Sequence, residues 1–351
     1  MAVGGTPLAA AAVRTGSAGR AAAFSVSGEL SGVAATSATN AWAVGSTGAG
    51  QTLIVHWDGT TWTRVPSPGG SFHGVAATSA RSAWAVGSTA NGNALIVRWN
   101  GQVWTQVPSP APAGSTFYGV AATSARSAWA VGSTTKGKAL IERWNGQVWT
   151  QVPSPAVGFL SSVAATSASN AWAVGSTATD KPLFIHWDGR TWKQVPSPAP
   201  KSSMGFADFL DGVAVTASGG AWAVGDISCG CGPGLSLVER WNGQVWKQVS
   251  SPTPGGGTRL SGVVALSARD VWVAGATGSG DGPTKTMILR WNGTAWRQVP
   301  TPSPRVSAEL SGIAVTSADN AWAVGSTSKI NHGSSQTLIL RWNGTAWKGS
   351  T

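Results

Sequence analysis

The sequence is poor in several residue types on which common protein classes depend. Its 351 residues include two cysteines, too few for a disulfide framework or a cysteine-rich zinc module. No apolar run approaches the roughly 18 residues that a membrane-spanning helix needs, so we expect no membrane insertion. No stretch long enough for a helix repeats its apolar side chains about every 3.6 positions. Since 42% of the residues are hydrophobic, disorder is not expected either. The composition and the apolar patterning therefore favour a folded protein built mainly from β-strands.

Carboxylates are scarce as well: the chain has 13 Asp and Glu against 24 Lys and Arg, a formal net charge of +11. Among so few, the two opposed carboxylates of an ordinary glycoside hydrolase cannot be identified. The basic residues are scattered rather than clustered, so the charge does not predict nucleic-acid binding. Cys229 and Cys231 have no histidine nearby, and no metal-binding motif occurs. We therefore expect neither a metal site nor another cofactor.

The most informative feature is the tryptophan content, since all 21 tryptophans fall into seven triplets. The first members lie in A-W-A-V-G type segments: Trp42, Trp84, Trp129, Trp172, Trp222, Trp272 and Trp322. The second members follow a basic residue: Trp57, Trp99, Trp144, Trp187, Trp241, Trp291 and Trp342. The third members are Trp62, Trp104, Trp149, Trp192, Trp246, Trp296 and Trp347. First members are 42 to 50 residues apart, a period that indicates a repeat architecture.

Each repeat predicts four short strands separated by turn residues. In the first copy, these are strand A (Leu30–Thr36), strand B (Ala41–Ser46), strand C (Leu53–Trp57) and strand D (Trp62–Pro66). Seven such copies predict an all-β fold, a seven-bladed β-propeller with four antiparallel strands per blade around a central channel. We assign the propeller to residues 27–351.

Residues 1–26 lie outside the repeat and are rich in alanine and glycine. They lack the basic start of a good secretory signal, so we expect a flexible extension or a segment that contributes a closing strand. The second expectation arises because the seventh copy ends soon after Trp347. Residues 21–26 are the candidate for that strand.

The strand-B pattern predicts how neighbouring blades pack. By alternation, Trp42 and Val44 face one side of the sheet, and Ala41, Ala43 and Gly45 face the other. We predict that each strand-B tryptophan packs on the small-residue face of the next blade. Because the indoles recur at the same position in every copy, we assign them to the core and not to sugar stacking. Strand C is expected to be apolar on both faces, as in a sheet covered on both sides.

The residue before the second tryptophan is basic in every copy: His56, Arg98, Arg143, His186, Arg240, Arg290 and Arg341. A cationic ring that binds a ligand is one interpretation of this position. Its regular recurrence favours another, a side chain that stacks on an indole or satisfies a neighbouring turn in each blade.

The order of the repeat segments resembles that of a known group of proteins. The segments A-W-A-V-G, an aliphatic strand, W-D/N-G-x-x-W and V-P-S-P are similar to kelch-type propeller repeats over residues 30–351. Gly45-Ser46 stands where kelch repeats carry two glycines. The A-W-A-V-G segment also resembles the repeats of propellers related to photosystem II assembly factors. Both resemblances imply a binding scaffold, and neither implies a particular partner.

The candidate site follows from a comparison of the copies. The A–B and C–D turns are short, whereas the D–A and B–C connections vary, and variable loops on a rigid scaffold usually carry function. The residue after the first apolar residue of strand A reads Ser31, His73, Tyr118, Ser161, Asp211, Ser261 and Ser311. We hypothesise that His73, Tyr118 and Asp211, which break the serine pattern, line a pocket at the channel mouth. Ordinary solvated loop residues are the alternative. Asp208, Phe209 and Arg259, from the same segments, complete the candidate ligand-binding set.

These features favour a non-catalytic binding or scaffold protein whose variable-loop face binds a glycan or a protein. The alternative is a glycoside hydrolase or lyase with Asp211 or Asp208 as acid or base near His73. Two carboxyl groups within about 10 Å in one pocket would favour that alternative. A third possibility is a repeat scaffold without a small-molecule site. We expect a monomer, and the composition favours a secreted or cell-surface protein over a cytoplasmic one.

Overall fold

The strands of each repeat copy hydrogen-bond to one another in sequence order and form one antiparallel sheet. The computed structural model describes residues 24–198, 207–228, 234–254, 257–278, 282–304, 306–329 and 334–350, and these contain seven such four-stranded sheets. Neighbouring sheets contact one another around a ring, including the first and the last. The predicted seven-bladed, all-β propeller is confirmed. The described residues hold no helix with the length and hydropathy to cross a bilayer. Cys229 and Cys231 lie outside the described residues.

In each blade the first strand lies at the channel and the last at the rim. Blade 1 contains β1 (Gly28–Ser37), β2 (Asn40–Thr47), β3 (Thr52–Trp57) and β4 (Trp62–Arg64); blade 2 contains β5 (Ser71–Ser79), β6 (Ser82–Ser88), β7 (Ala94–Trp99) and β8 (Trp104–Gln106). Blade 3 contains β9 (Thr116–Ser124), β10 (Ser127–Ser133), β11 (Ala139–Trp144) and β12 (Trp149–Gln151); blade 4 contains β13 (Gly158–Ser167), β14 (Asn170–Thr177), β15 (Pro182–Trp187) and β16 (Trp192–Val195). Blade 5 contains β17 (Ala207–Val215), β18 (Ala221–Ser228), β19 (Leu235–Trp241) and β20 (Trp246–Gln248). Blade 6 contains β21 (Thr258–Ser267), β22 (Asp270–Thr277), β23 (Lys285–Trp291) and β24 (Trp296–Val299); blade 7 contains β25 (Ser307–Ser317), β26 (Asn320–Ser328), β27 (Ser335–Trp342) and β28 (Trp347–Gly349).

In blades 1 and 4 the outermost strand stops shortly before a proline. β4 ends at Arg64, two residues before Pro66, and β16 ends at Val195, directly before Pro196. Because proline has no N–H to donate, it cannot continue the ladder. The fourth strand of blade 1 is two residues shorter than predicted, whereas the first begins at Gly28, two residues earlier than predicted.

The indoles lie between blades, as the strand-B pattern predicts. Trp42 of blade 1 packs against Trp99 and Trp104 of blade 2, with ring centroids 4.8 and 5.1 Å apart. The same arrangement recurs around the ring, and Trp322 of blade 7 packs on Trp57 of blade 1 at 4.9 Å. Every strand-B indole is at most 2% exposed, so the assignment of these tryptophans to the core is confirmed.

The basic residue of the third strand also joins adjacent blades. Arg98 of blade 2 lies over Trp84 of its own blade and over Trp144 of blade 3, with its Cζ 5.2 and 5.5 Å from the ring centroids. Its Nη2 donates to the carbonyl oxygen of Ala125 in blade 3 at 3.4 Å. The other four arginines lie over indoles as well, and the two histidines contact the indole of their own blade at 4.2 and 4.4 Å. The interpretation as an indole contact in each blade is confirmed.

Residues 24–27 lie between blade 7 and blade 1. The backbone N–H of Phe24 donates to the carbonyl oxygen of Ser350 at 3.1 Å, and that of Thr337 donates to the carbonyl oxygen of Val26 at 2.9 Å. Blade 7 nevertheless completes its four strands with its own C-terminal residues, since β28 is as long as β4. Residues 1–23 lie outside the described residues, and the role of residues 1–26 in closing the ring stays a prediction.

Candidate ligand-binding site at the channel mouth

A β-bulge in the first strand of every blade positions one residue at the channel. In blade 1, Leu30 pairs with Gly45 of β2. The next pair joins Gly32 to Val44, so Ser31 is the extra residue. A bulged residue leaves the alternation of its strand, which turns its side chain toward the channel. The bulged residues of the seven blades together line the channel: Ser31, His73, Tyr118, Ser161, Asp211, Ser261 and Ser311.

The glycine of the A-W-A-V-G segment makes room for this bulge. A Cβ atom placed on Gly45 would overlap the carbonyl oxygen of Glu29 on β1. The equivalent glycine of every other blade meets the preceding strand in the same way. Any side chain at this position would force the innermost strand away from the second strand, and glycine in a strand often marks such a close backbone approach. The repeated glycine therefore maintains the direction of the channel residue.

Two of the three residues that depart from serine form an aromatic pair. The rings of His73 in blade 2 and Tyr118 in blade 3 have centroids 5.5 Å apart and are tilted by 49°. Burial lowers the pKa of His73, so the neutral imidazole predominates at pH 7. Tyr118 is 36% exposed and keeps part of its ring accessible from the channel.

A cavity of about 910 Å³ opens above these side chains. It lies on the face formed by the D–A and B–C connections, with lining residues from blades 2 to 7. Its size falls within the range of about 300–1,000 Å³ that is typical of ligand pockets. Four of the six predicted site residues line it together: His73, Tyr118, Asp211 and Arg259.

Arg259 of blade 6 bridges two carboxylates of blade 5. Its Nε lies 3.2 Å from Oδ2 of Asp211 and 3.9 Å from Oδ1 of Asp226. Asp226 is 8% exposed, and its burial, reinforced by the charge of Asp211, raises its pKa to about 6. Burial also raises the pKa of Asp211, although the adjacent Arg259 opposes this rise. The arrangement ties blade 5 to blade 6 at the edge of the cavity.

The other two predicted residues, Asp208 and Phe209, do not line the cavity. Both belong to β17, which already begins at Ala207 and is paired with β18 along this stretch. The side chain of Asp208 is fully buried, and neither of its carboxylate oxygens is hydrogen-bonded within the part of the chain that the structure describes. Burial raises its pKa, against the effect of Lys181. Phe209 is half-buried.

Two further carboxyl groups lie between blades and away from the cavity. Glu239 of β19 is 2% exposed, and burial, together with the charge of Asp208, raises its pKa to about 8. Glu142 holds the same position in β11, where its Oε1 accepts a hydrogen bond from Ser109 Oγ at 2.8 Å. Burial raises the pKa of Glu142 to about 7. The expectation that the third strand is apolar on both faces is therefore wrong in blades 3 and 5.

Sequence comparison missed three acidic residues at the cavity and in its wall. Asp180, from the B–C connection of blade 4, and Glu309, at the start of β25, line the cavity. Asp226 lies behind Arg259. Comparison of equivalent positions in the repeats could have identified two of them. Asp226 stands where five copies carry serine, and Glu309 holds in blade 7 the position that Arg259 holds in blade 6.

Solved structures share this architecture over nearly their whole length. A structure of YCF48 bound to a D1 peptide has 16% identity and a TM-score of 0.60, covering 91% of this chain and 96% of that one. YCF48 from Cyanidioschyzon merolae has 17% identity and a TM-score of 0.55, with coverages of 89% and 95%. The WD40 propeller domain of Doa1 has 11% identity and a TM-score of 0.60, with coverages of 90% and 95%. The chain shares the propeller fold of YCF48.

No family model matches the sequence, and no curated protein does either. The structural likeness bears out the resemblance to photosystem II assembly-factor propellers at the level of the fold. A relationship to kelch propellers in particular is not supported by these neighbours.

The cavity combines a few polar anchors with a largely non-polar wall. The anchors are the imidazole of His73, the phenol of Tyr118, and Arg259 with the carboxylates around it. The wall includes Phe159 and Leu310. Convergent polar groups in an apolar recess are typical of a binding site. Across the described ranges, no set of three or more His, Cys, Asp or Glu side chains is grouped so as to hold a metal ion.

Proposed function

We propose that this chain is a non-catalytic scaffold that binds a segment of a protein partner in the cavity at the channel mouth. The observation that carries the proposal is the convergence of His73, Tyr118 and Asp211 on one cavity of about 910 Å³. These are the bulge residues that break the serine pattern of the repeat. A repeat scaffold recognises a particular partner through residues that differ between its copies. Here those residues lie on the variable-loop face.

A protein of the same fold supports the choice of ligand class. YCF48 is known in a structure bound to a D1 peptide, and it covers 91% of this chain. A propeller of this kind can therefore hold a peptide. At 16% identity the likeness concerns the fold, so we carry over the class of ligand, a protein segment, and not the D1 peptide itself.

The glycoside hydrolase or lyase alternative assigns the acid or base to Asp211 or Asp208. Asp208 is buried outside the cavity, and the carboxylate next to Asp211 is Asp226. Both carboxylates lie within 4 Å of Arg259 Nε, so they are close to one another. Hydrolysis of a glycosidic bond uses carboxyl groups on opposite sides of the bond. Here both groups belong to blade 5 and share one arginine, an arrangement that favours a structural ion pair over acid–base chemistry. We therefore favour binding.

A glycan is the competing ligand for a binding protein, in line with the composition that favours a secreted or cell-surface location. The experiment begins with a random-peptide phage library, panned on the immobilised full chain. The affinities of the selected peptides are then measured by fluorescence anisotropy. The comparison protein carries His73→Ser, Tyr118→Ser and Asp211→Ser, which place in blades 2, 3 and 5 the residue that blades 1, 4, 6 and 7 already have.

We expect the selected peptides to bind the triple-serine variant at least about tenfold more weakly, since a handful of central residues usually carries most of the binding energy. Unchanged thermal unfolding would show that the variant keeps its fold. Equal affinity for both proteins would overturn the proposal. A glycan array probed with the same two proteins covers the competing ligand: glycans bound by the wild type and lost on the variant would assign the cavity to sugars instead.

A further inference from the structure

The cavity is acidic, although the chain as a whole is basic. Asp180, Asp211 and Glu309 line it, against Arg259 as the one lysine or arginine in the described lining. Arg259 is already engaged by Asp211 and by Asp226 behind it. The whole chain has 24 basic and 13 acidic residues, so the cavity inverts the overall charge.

The aromatic pair adds a second attraction for a cation. Tyr118 keeps 36% of its surface exposed, and its ring centroid lies 5.5 Å from that of His73. The face of an aromatic ring attracts ammonium and guanidinium groups. Because burial lowers the pKa of His73, this imidazole does not offset the negative charge at pH 7.

The wall of the cavity suits the stem of a long basic side chain. Phe159, Ala276 and Leu310 contribute apolar surface between the charged groups. Lysine and arginine place their aliphatic stems on apolar surface while the charged ends reach polar groups. In a recess partly shielded from water, the attraction between opposite charges is stronger than on an open surface.

We propose that the cavity selects a protein segment that carries a lysine or arginine side chain, whose charged end lies among Asp211, Glu309 and the ring of Tyr118. This inference rests on the proposed protein-binding function and names the chemistry of the partner. Since the rest of the chain is basic, the residues that flank the inserted cation are neutral or acidic in a favourable partner.

The test uses a positional-scanning library of N-acetylated, C-amidated peptides, captured on the immobilised full chain. Each sub-library has one fixed residue in an otherwise random sequence. We expect sub-libraries with fixed lysine or arginine to be captured at least about threefold more than those with fixed glutamine, and those with fixed aspartate or glutamate less than either. This preference falls when NaCl is raised from 0.05 to 0.5 M, because salt screens exposed charges.

A pair of charge-matched variants assigns the preference to the cavity. Glu309→Gln removes one charge from an exposed cavity residue, and we expect the preference for lysine and arginine to fall about threefold, as for a partly screened charge pair. Asp319→Asn removes one charge from an exposed residue of the A–B turn of blade 7, on the opposite face, and leaves the preference unchanged.

The outcomes separate this inference from the proposed function. Equal capture of all sub-libraries by the wild type and by the triple-serine variant overturns the proposed function. Capture that is lost on the triple-serine variant, but with a preference for acidic or apolar residues, overturns this inference alone. An equal effect of Glu309→Gln and Asp319→Asn also overturns it, because the preference would then reflect the net charge of the chain.

Discussion

Arg341 of the last blade lies over the indole of Trp57 in the first, with its Cζ 5.1 Å from the ring centroid. It also lies 4.8 Å over Trp322 of its own blade, and its Nη2 donates to the carbonyl oxygen of Ala38 in blade 1 at 3.4 Å. Arg98 makes the same set of contacts between blades 2 and 3. The ring therefore closes through the side-chain contact that also joins interfaces inside the repeat.

We predict that Arg341→Ala lowers the free energy of unfolding as much as Arg143→Ala does. Arg143 lies 5.1 and 5.4 Å over Trp129 and Trp187 and donates to Ala168. Each substitution removes two cation–π contacts and the hydrogen bond to the next blade, so we expect a loss of about 1–2 kcal/mol. Arg341→Ala also removes a hydrogen bond to Oδ1 of Asn320 in its own blade. Urea unfolding followed by tryptophan fluorescence measures both.

The matching lysine variants separate charge from shape. Lysine keeps the positive charge but lacks the planar guanidinium, so Arg341→Lys should recover only part of the loss. A neutral Arg341→Ala beside a destabilising Arg143→Ala would show that the ring closes by some other contact.

A pair of truncations tests the contribution of residues 24–27 to ring closure. Removal of residues 1–27 deletes the backbone hydrogen bonds of Phe24 with Ser350 and of Val26 with Thr337, and it exposes the apolar surface that both residues cover. We expect the free energy of unfolding of this form to be about 1–3 kcal/mol lower than that of a form lacking residues 1–23. Thermal and urea unfolding of the two forms gives the difference. Equal stabilities would rule out a closing role for residues 24–27.

The fold could be predicted from the sequence because every blade meets the same packing requirement. Each strand-B indole packs on the side of the next blade where strand B carries small side chains. In strand B, Trp42 and Val44 lie on one face, and alanine and glycine lie on the other, so the sequence already shows both of the faces that meet between blades. Repetition also allowed the copies to be compared position by position, which identified His73, Tyr118 and Asp211 as departures from the pattern. The three residues lie at one opening because a bulge holds that position toward the channel in each blade.

The rest depends on pairing and burial that local patterns do not record. Asp208 was expected at the site, but it is part of β17 and its side chain is fully buried. Phe209 was expected there too, and it does not line the cavity, although Arg259 and Glu309 do so from the same strand position. Glu142 and Glu239 interrupt an apolar strand whose other residues fit the repeat, so the pattern hides them. Comparison of the copies could have pointed to Asp226 and Glu309. Their nearness to the cavity follows from the curvature of the ring, which places consecutive blades around one opening.

The bulge itself can be tested at the glycine opposite it. We predict that Gly87→Ala destabilises the fold by more than about 3 kcal/mol, because the added Cβ overlaps the carbonyl oxygen of Ser71 and the innermost strand of blade 2 must shift. Gly69→Ala is the control, since a Cβ at that position meets nothing within 4 Å. Urea unfolding measures both.

The Gly87→Ala variant also tests whether the bulge positions His73 for peptide binding. His73 follows the strained contact by two residues, so a form of Gly87→Ala that remains folded should bind the selected peptides more weakly, whereas Gly69→Ala should bind them normally. A Gly87→Ala protein as stable as the wild type would contradict the proposed role of this glycine.

The buried glutamates make stability depend on pH in a direction that can be worked out. The pKa of Glu239 is raised to about 8 in the folded chain, from an ordinary value of 4.5. Between these values the unfolded chain loses the proton while the folded chain retains it, so the folded state binds more protons. The free energy of unfolding therefore falls as pH rises from about 4.5 to about 8 and then levels off. Glu142, with a pKa of about 7, adds to the same slope.

We predict that Glu239→Leu flattens this slope and raises the free energy of unfolding at pH 8 by about 1–4 kcal/mol, since a buried charge is replaced by an apolar side chain of similar size. Blades 6 and 7 already carry leucine at this position, as Leu289 and Leu340, so the substitution suits the interface between blades. Urea unfolding at several values between pH 5 and pH 8 measures the effect. The exposed Glu29, replaced by glutamine, is the control and should keep the wild-type slope. A Glu239→Leu protein that is less stable than the wild type at pH 8 would show that this carboxylate is paired in the folded state, with its charge stabilised rather than suppressed.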